Sequence, residues 1–342
     1  MTEFQTVQGF EDAWRAPVRQ RIVRPRAALG AAQASPGGAR VRLQRIATRA
    51  PEVMVKVTGR ARDRAHLRAH LEYISRNGQL ELEGADGALI IGRHDLTDLA
   101  DEWSAPAMTD KPRRKDSPVS HSLILSMPAG TSEVAVRDAA RAFAADMFAV
   151  RHDYVFTLHT DTPRPHVHLT VCSRGHLGDR LNPKKADLER WRQSFAQALR
   201  DRGVEAEATP RRARGVTRKA ERTPLRKIRD RHEATGGPIA QVRRSAYHEA
   251  AAAAFQGQAE RPIWEQRIVA RQQRVRGLYL AQAQLLARSS DPADQLLGAK
   301  VEAFVRSMPH PDTQRLVLAR ELREANQKLK DRGGTDGRDR GR

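Results

Sequence analysis

The run from His159 to His168, HTDTPRPHVH, restricts the fold more than any other stretch of this 342-residue chain. Aromatic and β-branched residues are frequent on both sides of its centre, from Asp153 to Thr160 and from His166 to Cys172. Such segments are typical of β-strands, and the intervening Asp161 to Pro165 has the Asp and Pro residues of a tight turn. The sequence therefore predicts two strands joined directly by a turn.

Three histidines fall on one face of these two strands. Successive side chains of a strand point to opposite faces, so His166 and His168 share a face, and His159 joins them if the strands pair as a hairpin. Three converging imidazoles make an economical metal site with three nitrogen ligands. The alternative is three independent surface histidines, but histidine provides only 12 residues of the chain, and this clustering favours the metal site.

Other histidine patterns fit less well. A zinc protease would have H-E-x-x-H on a helix, and the sequence has none. A cupin-like dioxygenase would need a glutamate soon after its His-x-His pair, and Leu169 to Asp179 contains none. Asp161 follows His159 by two residues, and it either orients an imidazole by accepting its second N–H or belongs to an Asx turn before Pro163.

In the rest of the first 210 residues, the sequence predicts strands that alternate with helices, although tight turns also join some strands directly. This pattern favours an α/β sandwich with a mixed or antiparallel sheet over a doubly wound parallel sheet. The predicted strands are Glu52 to Thr58, the two halves of Leu80 to Gly92, and Val119 to Met127; the predicted helices include Arg62 to Arg76, one beginning at Thr131 or Ser132, and Asp187 to Arg202.

Tyr73 is the second residue of chemical interest. At about 100° per residue, Leu67, Leu71 and Ile74 form one apolar stripe of the predicted helix, and Tyr73 falls about 120° away from it. A tyrosine required for packing would lie on the stripe, so this one projects into solvent or into a cleft. The alternative is an ordinary amphipathic tyrosine.

Charge and composition limit the class of protein. Lys and Arg total 61 against 41 Asp and Glu, a formal charge of +20, which indicates a polyanionic partner such as DNA. The alternative is an arginine-rich soluble protein without such a partner. No window approaches the ~18 apolar residues of a membrane helix, and Met1 to Arg21 has no apolar core of a signal peptide. The single Cys172 excludes a disulfide framework and fits a reducing compartment.

Shifts in composition predict five segments. Residues 1–50 contain nine arginines and three acids and are expected to be a basic, poorly ordered extension before a catalytic domain at 51–210. Residues 211–262 are expected to be a basic linker or DNA-binding arm, since residues 211–231 hold ten Lys or Arg and two acids. A helical domain at 263–330 and a disordered tail at 331–342 complete the prediction.

Three of these stretches, taken together, resemble the motifs of the MobA-type relaxases, conjugative DNA-nicking enzymes of the HUH endonuclease superfamily. They are the helix HLEYISR with Tyr73, the strand end at Ser126 to Gly130 (SMPAG), and the run from His159 to His168. They occur in the family's order, and Trp191 to Gly215 is similar to the end of that catalytic domain. The resemblance covers about residues 51–215.

The resemblance implies an α/β domain of HUH type, with a central, mainly antiparallel sheet flanked by helices, followed by an all-helical C-terminal region. Tyr73 would be the nucleophile that forms a 5′-phosphotyrosyl adduct and a free 3′-OH, after which the strand is rejoined. The metal ligands would be His159, His166 and His168. The residues expected to contact DNA, through the motifs or through the basic arm, are Arg76, Ser126, Arg211, Arg212, Arg214, Arg218 and Lys219.

The implied cofactor is one divalent ion, Mg²⁺ or Mn²⁺, and because imidazole is a softer ligand than carboxylate we expect Mn²⁺ to bind more tightly. The implied partners are single-stranded or hairpin DNA at a transfer origin, relaxosome accessory proteins and a type IV secretion coupling protein. The expected location is the bacterial cytoplasm, with export attached to DNA as an option. A rolling-circle initiator usually has its His pair before its Tyr, unlike this chain, and a non-catalytic DNA-binding accessory protein would leave the clustered histidines unexplained.

Overall fold

The computed structural model describes residues 4–14, 36–109, 117–218, 221–255 and 261–336. The chain divides into two compact units. The sheet unit comprises Ala16–Thr209, and the helical unit comprises Met1–Arg15 together with Pro210–Arg342. No helix in the described part of the chain is long and apolar enough to cross a bilayer.

The sheet unit has six described strands in one sheet, in the order β1-β4-β6-β5-β2-β3, and each pairing between these strands is antiparallel. The expectation of an α/β domain with a central antiparallel sheet is confirmed. In chain order its elements are α1 (Pro36–Ala47), β1 (Met54–Ala61), α2 (Arg64–Ile74), β2 (Leu82–Gly84), β3 (Leu89–Ile90), α3 (Gly92–Thr109), β4 (Ser120–Ser126), α4 (Glu133–Ala144), a π-helical turn (Ala145–Ala149), β5 (Tyr154–His159), β6 (His166–Cys172) and α5 (Lys185–Arg200).

Helices cover both faces of this sheet. The central strands have apolar side chains on one face and both apolar and polar side chains on the other. On one face, Leu123, Leu169 and Phe156 of three neighbouring strands pack against Phe143 of α4 and Phe195 of α5. On the other face, a smaller core joins α2 and α3 to the sheet, through Leu67, Leu71, Ile74, Leu96, Trp103 and Val155. The histidines predicted to share a face all lie on this second side.

Helix α2 begins and ends at residues suited to those positions. The side chain of Asp63 accepts a hydrogen bond from the backbone N–H of His66 (2.9 Å), which satisfies a free donor of the first turn. After Ile74 the chain turns through Arg76 (φ 54°), Asn77 (φ 60°) and Gly78 (φ 83°), three left-handed residues in succession. A Cβ on Gly78 would lie 2.9 Å from the backbone of Gly92, so only glycine fits there.

The N-terminal 50 residues differ from the expected disordered extension wherever they are described. Phe10–Ala13 form a 3₁₀ turn in the helical unit, and α1 buries Leu43 and Ile46 in the sheet unit. The Arg45 guanidinium donates to the carboxylate of Glu207 at 2.9 Å. Counting charge along the sequence misses this pairing because the two residues are 162 positions apart.

The helical unit contains ordered helices in the segment predicted to be a linker. Arginines of that segment form ion pairs within the unit, so its positive charge does not prevent folding; Arg229, for example, pairs with Glu221 at 2.6 Å. Residues 331–336 continue the last helix, and 337–342 lie outside the described residues. The elements of the helical unit are the 3₁₀ turns Phe10–Ala13 and Arg211–Arg214, and α6 (Thr223–Thr235), α7 (Gln241–Phe255), α8 (Ile263–Ala287), α9 (Pro292–Arg306) and α10 (Gln314–Asp336).

A buried imidazole at the beginning of β4, the end of the strand away from Ser126, should make the stability of the fold sensitive to acid. His121 on β4 is 1% exposed, and its Nδ1 lies 2.9 Å from the Ser173 hydroxyl. Burial, with smaller contributions from Arg60 and His152, lowers the pKa of His121 to about 4. In the unfolded chain this imidazole has a pKa near 6.5. Between pH 6.5 and about 4 it is therefore protonated in the unfolded chain but neutral in the folded one. The free energy of unfolding consequently decreases as the pH falls from 6.5 toward 4.

We therefore expect His121→Asn, which can still bond to Ser173, to reduce the loss of unfolding free energy between pH 7 and pH 5 by about 2 kcal/mol. Urea titrations at both pH values, in the presence of a chelator, measure this difference. The control is His94→Gln, since the His94 side chain is 88% exposed. Identical pH dependence in wild type and His121→Asn would contradict the prediction.

Candidate metal centre and tyrosine helix

The hairpin of β5 and β6 brings three histidines together. His159 pairs directly with His166 in the strand register, and His168 lies two residues further along the same face. One ligand nitrogen from each lies within 4.8 Å of the other two, and the ring centroids are 4.4 to 5.3 Å apart. His159 and His168 are buried, whereas His166 is half-buried.

Backbone carbonyls fix which nitrogens keep a lone pair. His159 Nε2 lies 2.7 Å from the carbonyl oxygen of Ile74 and donates to it, which leaves Nδ1 as the acceptor. His166 Nδ1 donates to the carbonyl oxygen of Arg164 at 3.1 Å, which leaves Nε2 free to bind a cation. His168 Nδ1 is buried and has no hydrogen-bond partner within the described residues. Metal-binding histidines characteristically use one nitrogen for the ion and the other for such a carbonyl.

Two of the three imidazoles, His159 and His168, are held neutral. Desolvation, followed by the proximity of His159 and His166, lowers the pKa of His168 to about 3. Burial also lowers the pKa of His159 from its ordinary value of 6.5. Neutral rings carry the lone pairs that a divalent cation needs, and a buried nitrogen without a partner is satisfied by such an ion. The donor set therefore fits a divalent metal, without defining which one.

Tyr73 lies beside this cluster. Its neighbours Leu67, Leu71 and Ile74 on α2 are fully buried, whereas the Tyr73 side chain is 59% exposed. Its ring faces the His168 ring edge-on, with centroids 6.0 Å apart and an interplanar angle of 88°. The helical offset that separated Tyr73 from the apolar stripe thus places the phenol over the sheet face that carries the histidines.

Arg76 connects the tyrosine helix to the hairpin. Its Nη2 donates to His159 Nδ1 at 3.2 Å, and the same guanidinium forms an ion pair with the carboxylate of Asp161. Its Cζ is also 5.8 Å from the centre of the Tyr73 ring. A cation that binds through His159 Nδ1 would compete with this guanidinium for a single lone pair.

The Asp161 contact differs from both sequence interpretations. Within the described residues, the Asp161 carboxylate is paired with Arg76 and accepts neither an imidazole N–H nor a backbone N–H of an Asx turn. The two residues are 85 positions apart, and the left-handed backbone at Arg76 turns its side chain toward the hairpin. Asp161 is therefore linked to His159 indirectly, through hydrogen bonds that the Arg76 guanidinium donates to both side chains.

Two further polar residues line the same face of the sheet. Ser126 of β4 lies opposite His166 in the register and is buried. Thr170 of β6 shares this face with His166 and His168, and its hydroxyl lies 3.0 Å from His70 Nε2. Burial lowers the pKa of His70. Both positions follow from the sequence, since Thr170 follows His168 by two strand positions and His70 precedes Tyr73 by three helical positions.

The basic residues predicted to contact DNA from the arm belong to the helical unit. Arg211 and Arg218 are exposed, and Arg211 donates to the carbonyl oxygen of Arg218 at 2.9 Å. Arg212 and Arg214 are half-buried in the 3₁₀ turn, and the Arg212 carbonyl accepts from Gln272 of α8 at 3.1 Å. Lys219 lies outside the described residues.

An antiparallel sheet whose hairpin carries three clustered imidazoles beside a tyrosine helix is the arrangement that the resemblance to HUH endonucleases predicts. Residues 73–204 match the family described as relaxase, MobA/VirD2-like, nuclease domain. This part of the chain is similar to the nuclease domain of the MobA-type relaxases. The match begins at Tyr73 itself and ends beyond α5.

Curated relatives agree with this assignment. The chain is 32% identical over 187 residues to the T-DNA border endonuclease VirD2 of Agrobacterium fabrum, covering 46% of this chain and 41% of the relative. It is also 32% identical over 165 residues to the protein of that name from Rhizobium radiobacter, covering 43% of this chain and 38% of the relative. The chain thus spans about two fifths of the length of the curated relatives it matches.

Proposed function

We propose that this protein is a DNA relaxase that nicks one strand at a transfer origin through Tyr73 and later rejoins it. The observation that carries the proposal is the exposed Tyr73 ring, whose centroid lies 6.0 Å from that of His168, beside three clustered imidazoles. Relatives named as T-DNA border endonucleases support DNA as the substrate. The excess of 20 positive charges favours the same substrate.

The proposed reaction is a transesterification. The Tyr73 oxygen forms a bond to phosphorus while the bond from phosphorus to the 3′ oxygen breaks. The phenol proton is lost and the departing oxygen gains one, so the products are a 5′-phosphotyrosyl ester and a free 3′-OH. The ester conserves the energy of the broken bond, so the same 3′-OH, or another, can reverse the step.

His159, His166 and His168 would hold the divalent ion, which supplies positive charge that polarises the scissile phosphate. An imidazole ligand carries no negative charge, so these ligands would not cancel the charge of the ion as carboxylates would. Carbonyl hydrogen bonds to His159 and His166 keep their rings oriented. We expect Mn²⁺ to bind more tightly than Mg²⁺, since imidazole favours the softer ion.

The remaining site residues bind and position the strand in this proposal. Arg76 carries a positive charge beside both Tyr73 and His159, where it can contact a phosphate once the metal binds. Ser126 would contact the DNA backbone next to His166. In the cell the enzyme would act in the cytoplasm with accessory proteins and a type IV secretion coupling protein, and leave attached to its DNA.

Covalent capture tests this function. Purified protein with Mn²⁺ is incubated with labelled single-stranded oligonucleotides that tile the DNA around its gene, and denaturing gels are searched for protein-linked label. We expect one oligonucleotide to form a covalent adduct and release a fragment with a 3′-OH that a polymerase extends. A chelator should abolish both products. Binding that survives the chelator, without cleavage of any oligonucleotide, would contradict the proposal.

A further inference from the structure

The helical unit contains a cavity that the proposed nicking reaction does not use. It has a volume of about 600 Å³ and is lined by residues of α6, α7, α8 and α10. Leu225, Ile239 and Ile268 supply apolar surface, and Trp264 lines it with 53% of its side chain exposed. A volume in this range, about 300 to 1,000 Å³, accommodates small planar ligands.

The charged residues around the cavity are unevenly paired. Four arginines and two glutamates line it. Arg229 is bound to Glu221 at 2.6 Å, and Arg315 is bound to Glu265 of α8. Arg218 and Arg243, in contrast, have no carboxylate partner among residues 221–255, 261–336 and the other described ranges. Two cations thus remain available beside an exposed indole.

We propose that this cavity is a second binding site for single-stranded DNA, in which a nucleobase stacks on Trp264 and the adjoining phosphates contact Arg218 and Arg243. An aromatic ring flanked by cations is the arrangement that binds single strands without sequence preference, because every base has a face to stack. A duplex hides those faces. The surplus of arginine over glutamate favours a polyanion over an apolar peptide as the occupant.

This site goes beyond the proposed nicking function and uses neither Tyr73 nor the histidine cluster. A strand held there would stay attached to the protein whether or not it is cleaved. The test is therefore made with the full chain carrying Tyr73→Phe, in a chelator and with an oligothymidine, so that neither cleavage nor recognition of an origin contributes. Absence of a covalent adduct in the capture experiment would leave its outcome unaffected.

Tryptophan fluorescence reports this site directly. Trp14, Trp103 and Trp191 are buried, so Trp264 is the exposed tryptophan of the chain. We expect a single-stranded 20-mer of thymidine to quench the Trp264 emission and to protect it from acrylamide, whereas an oligothymidine–oligoadenine duplex does neither. Quenching by the duplex equal to that by the single strand would overturn base stacking.

Substitutions give an independent readout of affinity. Trp264→Ala should weaken oligothymidine binding by about 5- to 100-fold, and Trp264→Phe, which keeps a stacking ring, by much less. Arg243→Gln should weaken it and reduce the slope of log affinity against log salt by about one. The matched control is Arg306→Gln, at an exposed position of α9 that does not line the cavity. Unchanged affinity in both Trp264→Ala and Arg243→Gln would overturn the proposal.

Discussion

Replacing Tyr73 by phenylalanine is expected to lower covalent adduct formation at least about 1,000-fold, because the substitution removes the oxygen that attacks the phosphate in the proposed reaction. The phenylalanine ring keeps the edge-on contact with His168, so the metal site should remain intact. Labelled oligonucleotide and denaturing gels measure the adduct, and calorimetry with Mn²⁺ verifies that metal binding is unchanged.

The control for this experiment is Tyr247→Phe, which removes a half-buried phenol from α7 in the helical unit. It should leave adduct formation unaltered. A different mechanism would follow if Tyr73→Phe still cleaved DNA while His166→Ala did not. That result would indicate an activated water as nucleophile, and the protein would be an ordinary metal-dependent nuclease.

The second large effect is expected from His168→Ala. Loss of an outer hydrogen-bond partner alone typically costs 10- to 100-fold in metal affinity, so loss of a ligand should weaken Mn²⁺ binding by more than about 100-fold. Of the three proposed ligands, His168 is the most informative to remove, because its buried Nδ1 has no hydrogen bond within the described residues. Calorimetric titration with Mn²⁺, without DNA, measures the effect, and adduct formation should fall in parallel.

His176→Ala provides the matched comparison, since His176 is an exposed histidine that contacts Asp153 rather than the cluster. Its Mn²⁺ affinity should equal that of the wild type. Equal metal affinity in the His168 and His176 variants would exclude the cluster as the metal site. Metal binding lost only in His168→Ala, with adduct formation retained, would show instead that the reaction does not need the ion.

Much of the sheet unit could be predicted because its signals are local. The two-residue period of a strand decides that His166 and His168 share a face, and the direct turn decides that His159 joins them. The helical period likewise separates Tyr73 from Leu67 and Leu71. These are geometric consequences of regular backbone, and they do not depend on which distant residues pack around them.

The pairing of Arg76 with Asp161 could not be predicted in this way. It depends on two non-glycine residues, Arg76 and Asn77, in the left-handed conformation, which few side chains adopt. The helices in residues 211–262 were missed for a related reason. Ala250 of α7 is buried against Leu318 and Ala319 of α10, and local charge gives no indication of that distant partner.

The hydrogen bond from His159 Nε2 to the Ile74 carbonyl has a mechanical consequence. Ile74 directly follows Tyr73. A rotation of α2 that changes the direction of the phenol would therefore either displace the His159 imidazole or break its hydrogen bond to Ile74. Tension on a strand joined to Tyr73 would therefore be transmitted to His159 through one peptide unit. In the proposed reaction, a change in the position of the phenol that carries the DNA and a change in ion binding by His159 would therefore occur together.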